Sequence, residues 1–117
     1  MLASTEIKTK AVGTTFALPR DDARWGLLSA GDPLEFRRNP QNQYDANAIE
    51  VHHATAGMVG HVRAKANADE TVGLAAKLAP LMDQGATVTG EILDVTGGVG
   101  DKNRGINMVI RVSGEVQ

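Results

Sequence analysis

The chain has 117 residues and a mass of 12.3 kDa, the size of one domain. Hydrophobic residues make up 42% and charged residues 22%, which suits a packed core and excludes a disordered chain. The absence of cysteine rules out disulfides, thiolate metal sites and cysteine nucleophiles. A net charge of -2 with pI near 5.9 rules out nucleic-acid binding by bulk positive charge, so any such binding must rest on a few placed cations and stacking groups.

Aromatic residues account for only 3%, so Val, Ile, Leu, Ala and Met must build the core, and Phe16, Trp25, Phe36 and Tyr44 each become conspicuous. The opening MLASTEIKTK lacks a basic segment followed by an apolar one, and no apolar run approaches the roughly 18 residues of a membrane span. A soluble, cytoplasmic protein with one domain over residues 1–117 is expected.

In chain order, residues 7–16 read as an opening strand that carries Val12 and Phe16. Pro19, Asp21 and Asp22 then begin a short helix holding Trp25, Leu27 and Leu28, which Gly31-Asp32-Pro33 closes. PLEFRR alternates Leu34 and Phe36 against Glu35 and Arg37, the period of a half-buried strand. After the break at Asn39-Pro40-Gln41-Asn42, residues 48–52 and 58–63 form two strands of a hairpin. Asn67 and Glu70 have capping-box spacing for a main helix over about 67–83, with Val72, Ala75, Leu78, Ala79 and Met82 on one face. Pro80 either bends that helix or starts a second short turn, with Gly85 at the end. Residues 87–95 and 106–112 are the last strands, the second with Ile106, Met108, Ile110 and Val112 on one face. Six strands with one main helix after the fourth predict a mainly β fold, a small OB-like or SH3-like β-barrel.

The glycine-rich stretch 97–105 lacks the Gly-Lys-Ser/Thr ending of a P-loop and lies between strands, so it reads as a hairpin loop, with Lys102 and Arg104 as weak phosphate candidates. His52 and His53 are adjacent on a strand and point to opposite faces, and with His61 they do not make a metal set. No Gly-x-Ser-x-Gly elbow or spaced carboxylate pair supports catalysis, and no cofactor is implied. In NPQNQYDANAIEV, Asp45 can bond the backbone amide two residues on. Asp45 and Asn47 would then shape the approach to a strand, with Tyr44 packed over the barrel rim. The alternative is a binding site, because Arg37 and Arg38 lie just upstream while His61, Arg63 and Lys65 follow on the hairpin partner.

The ordered motifs Val12-Gly13-Thr14-Thr15-Phe16, Gly31-Asp32-Pro33-Leu34, Arg38-Asn39-Pro40-Gln41-Asn42-Gln43-Tyr44-Asp45-Ala46-Asn47-Ala48-Ile49-Glu50-Val51 and Val59-Gly60-His61 resemble the HIRAN domain family. That resemblance implies a non-catalytic, stand-alone bacterial-type module that captures the free 3′-hydroxyl end of single-stranded DNA, in DNA repair or replication-fork processing. It places Phe16, Arg38, Tyr44, Asp45, Asn47, His61 and Arg63 in the site. Tyr44 and Phe16 would stack on bases, and Arg38, His61 and Arg63 would meet phosphates. Asp45 would accept a hydrogen bond from the terminal hydroxyl and repel a phosphate in its place. A helicase or nuclease is an implied protein partner. The chain departs from the family pattern at Thr14-Thr15, which supply no ring, at Gln43 in place of proline, and at Ala64 in place of a cation. A protein-interaction barrel that has lost DNA binding is the alternative reading.

Overall fold

Alternation of buried and exposed residues shapes the middle of the sheet, in the strands Pro33–Arg38 and Ile49–His53. The computed structural model describes residues 2–68, 70–97 and 104–115. Strands β1 (Leu2–Lys10), β2 (Pro33–Arg38), β3 (Ile49–His53), β4 (Gly57–His61), β5 (Thr87–Thr96) and β6 (Gly105–Glu115) form one antiparallel sheet in the order β1-β6-β5-β2-β3-β4. β2 buries Leu34 and Phe36 while Glu35 and Arg37 face water. Ile49 and Val51 of β3, and Ile106, Met108 and Ile110 of β6, are fully buried in the same core.

Two bulges curl this sheet. The β3–β4 register shifts between Val51 and His52, and the β5–β6 register between Ile92 and Asp94. An extra residue on one strand bends the ladder and increases its twist. The curled sheet stops short of a closed barrel: its far strand β4 meets the chain just after β1 at one bridge. There the Val12 N–H donates to the His61 carbonyl at 2.9 Å, and the His61 N–H donates to the Val12 carbonyl at 2.8 Å.

The opening strand begins at Leu2 and ends at Lys10, so Phe16 is not on it. Gly13 turns the chain out of extension with φ +68°, a conformation that costs glycine little, and Thr14–Ala17 follow as one helical turn, α1. The short helix at Ala23–Leu27 is a 3-10 turn capped by Asp22, whose side chain accepts from the Arg24 N–H. It buries Trp25 to 3% exposure, with the indole N–H shared between the carbonyls of Leu18 and Pro19.

The main helix, α2, spans Leu74–Asp83 rather than 67–83. Half of the expected capping box forms, because the Asn67 N–H donates to Glu70 Oε1 at 3.1 Å. The Glu70 carboxylate is also pulled toward Arg63 and Lys77, each at 2.8 Å, so this segment folds as a connector and the helix begins only after Gly73. Leu74, Ala75, Leu78 and Ala79 are buried and Met82 packs beside them, whereas Val72 precedes the helix and is 44% exposed. α2 runs through Pro80 and ends in a Schellman arrangement, with the Gly85 N–H on the Met82 carbonyl and the Ala86 N–H on the Leu81 carbonyl.

Candidate functional site

Arg38 and Ile49 close the β2–β3 ladder, and the loop 39–48 projects beyond them. Side-chain oxygens replace the missing ladder. Asn42 Oδ1 accepts from the N–H groups of Tyr44 at 2.9 Å and Asp45 at 3.1 Å, and Asp45 Oδ1 accepts from the Asn47 N–H at 2.9 Å. Arg38 fastens the loop from below. Its Nη1 donates to the carbonyls of Ala46 and Ala48, both at 3.0 Å, while Nε and Nη2 grip the two oxygens of Asp83 at the end of α2.

On this fixed backbone the Tyr44 ring stands 87% exposed, so it does not pack over the rim. Asp45 serves the turn through Oδ1 and keeps Oδ2 without a partner among the described residues. Asn47 is exposed beside it.

Phe16 reaches the same end of the sheet by a different route. β3 residue Glu50 lies opposite His61 on β4, and His61 is bridged to Val12, which leads through Gly13 into α1. The approach is close enough to demand glycine: a Cβ on Gly60 would lie 2.8 Å from the Val12 carbonyl oxygen and 3.2 Å from Thr14 Cγ2. A Cβ on Gly13 would sit 3.8 Å from His61 Nδ1, which places the imidazole alongside this turn. Phe16 itself is 91% exposed.

The predicted residues Phe16, Tyr44, Asp45, Asn47 and His61 are thus gathered at one end of the sheet. Arg38 and Arg63 lie there as well, yet their guanidinium groups are engaged. Arg38 uses four donors on Asp83, Ala46 and Ala48, and Arg63 bonds Glu70 at 2.8 Å and the Lys65 carbonyl at 3.2 Å. The Arg63 and Lys77 cations and the Asn67 N–H together hold the Glu70 carboxyl at about 2, well below the ordinary carboxylate range.

The other two histidines lie on β3, with His53 at the far end of that strand. His53 is buried, and its Nδ1 accepts from the N–H groups of Thr55 and Ala56, so Nε2 carries the proton and donates to Asp32 at 2.8 Å. His52 points to the other face and meets Glu50 at 2.9 Å. Both line a shallow cleft with Pro33, Glu35 and Gly57. Lys102 lies outside the described residues.

The family model for the HIRAN domain matches residues 4–113. The chain belongs to the HIRAN family. Its fold is similar to the crystal structure of the HIRAN domain of human HLTF, with a TM-score of 0.69 and 22% identity over 97% of this chain and 80% of that one. It is also similar to a protein from Lactobacillus plantarum, with a TM-score of 0.63 and 20% identity over 96% of this chain and 99% of the other. Among curated proteins no match was found.

Much of the motif pattern of this HIRAN domain therefore specifies folding. Gly13 and Gly60 let α1 approach β4, Asp32 holds His53, and Asn42 and Arg38 build the loop. In the sequence Asn42 reads only as a turn former, and Asp83 and Glu70 do not read as arginine partners. The first role is signalled by an Asn two and three residues ahead of the amides it receives. The other two pairings bridge separate elements and leave no local signal.

Proposed function

We propose that this HIRAN domain is a binding module for single-stranded DNA that recognises a free 3′-hydroxyl end, rather than a catalyst. The reading is carried by one observation: of four aromatic residues, Trp25 and Phe36 fill the core, while Phe16 and Tyr44 stand 91% and 87% exposed at the same end of the sheet. Large rings left in water on hydrogen-bonded backbone suit base stacking, which is tolerant of sequence. The free oxygen of Asp45, beside Tyr44, suits a terminal hydroxyl as donor and opposes a terminal phosphate. Ends of this kind arise in DNA repair and replication-fork processing, in the cytoplasm of a bacterial-type cell, where a helicase or nuclease would be the natural protein partner. Among the described residues no helix is long and apolar enough to cross a membrane.

Fluorescence anisotropy with oligonucleotides of equal sequence tests this reading. Tight binding to the 3′-hydroxyl strand and weaker binding to the 3′-phosphate strand is expected; equal affinity for both would remove the end-recognition claim. A second reading, a protein-interaction barrel without nucleic acid, draws on the pairing of Arg38 with Asp83 and Arg63 with Glu70, which spends two of the cations at this end. Absence of binding to every strand would favour it.

A further inference from the structure

Arg104 is set apart from the other arginines of the chain. Arg20, Arg24, Arg37, Arg38, Arg63 and Arg111 each lie within 4.0 Å of a carboxylate, whereas Arg104 has no carboxylate partner among the described residues. Its guanidinium carbon lies 5.8 Å from the centroid of the Trp25 ring, in reach of the π face. That ring is itself immobilised by its bonds to Leu18 and Pro19, directly after α1. Arg104 Nε is buried with no hydrogen-bond acceptor among the described residues, the Nη groups make no hydrogen bond there either, and the residue as a whole is half-buried. A cation held over a ring, desolvated at Nε and lacking a counter-charge among the described residues is poised for an anion.

Its position ties it to the exposed rings. The Thr14 hydroxyl donates to the Arg104 carbonyl at 3.4 Å, and Thr14 opens the helical turn that carries Phe16. We propose that Arg104 is the principal phosphate-contacting cation of the site, meeting the backbone of a strand whose base stacks on Phe16. This assignment rests on the single-stranded DNA reading above and transfers the phosphate role from Arg38 and Arg63, which are already neutralised, to the residue that immediately precedes β6.

The test is the salt dependence of binding. Each phosphate neutralised on a single strand contributes about 0.7 to the slope of log K against log salt. With a fluorescein-labelled 3′-hydroxyl oligothymidylate, Arg104→Gln should lower the magnitude of that slope by about 0.7 and weaken binding about tenfold at low salt. Arg111→Gln, which removes a charge already shared by Glu6 and Glu91, should leave the slope unchanged. Should Arg104→Gln fail to fold, Arg104→Met retains the apolar stem over Trp25 and is read in the same way. A slope equal to wild type in a folded Arg104 variant overturns this inference alone. Wild-type protein that binds no oligonucleotide overturns the DNA reading with it.

Discussion

Replacing Tyr44 with alanine separates binding from stability. The ring is 87% exposed, and the turn beneath it is held by the backbone N–H groups of Tyr44 and Asp45, which donate to Asn42 Oδ1 without involving the phenol. Truncation therefore removes almost no buried area, and stability should stay within about 0.5 kcal/mol of wild type. If the ring stacks on a base, the lost contact is worth about 1–3 kcal/mol. At 1.4 kcal/mol per factor of ten, that is a rise in Kd of roughly 5- to 150-fold. Thermal unfolding followed by circular dichroism and anisotropy with a 3′-hydroxyl oligonucleotide give the two readouts. Unchanged affinity would refute the stacking argument, and a fall in Tm of many degrees would refute the claim that the ring is uninvolved in folding. Phe36→Ala supplies the contrast. That ring is 6% exposed, and its loss should cost about 3–5 kcal/mol of stability.

Other perturbations probe the remaining parts. Asp45→Asn retains a side-chain oxygen for the Asn47 N–H but loses the charge, so discrimination against a 3′-phosphate should shrink while the fold persists; competition between the two strands measures it. Arg38→Gln frees the loop carbonyl of Ala46, leaves that of Ala48 only the Asn39 N–H, and leaves Asp83 without its arginine, so it should weaken oligonucleotide binding and lower Tm with the salt slope unchanged. In Gly60→Ala the new methyl would meet the Val12 carbonyl oxygen at 2.8 Å, and a loss of about 1–3 kcal/mol in denaturant unfolding is expected. Glu70 lies at about 2 when folded, below the ordinary 4.5, so its stabilising contribution is present above 4.5 and disappears as pH falls toward 2. Tm measured from pH 6 to 2 should accordingly fall less steeply for Glu70→Gln than for wild type.

Five of the six strands are legible in the sequence: β2 and β3 because their side chains alternate, a property written into two-residue steps, and the others because apolar, β-favouring runs lie between turn-forming residues. Strand β2 has the limits its alternation predicts, and the β3–β4 hairpin lies within two residues of the expected ones. The first strand and the main helix were displaced for a common reason. At each place a residue with good local propensity answered to a partner elsewhere: α1 packs onto β4 through Gly60, and Glu70 is captured by Arg63 and Lys77. Local spacing carries no information about such partners.

By itself the sequence determined the mainly β fold, the family pattern, and the candidate rings and carboxylate, since periodicity and motif order are properties of neighbours along the chain. Tertiary structure decided which of those groups remain free. It left Phe16 and Tyr44 in water and buried Trp25 and Phe36, although all four are equally visible in the sequence. It also neutralised Arg38 and Arg63 with Asp83 and Glu70, and set Arg104 on Trp25 without a carboxylate among the described residues. Whether a cation can serve a ligand depends on the charges folded against it, and those are fixed only when distant segments meet.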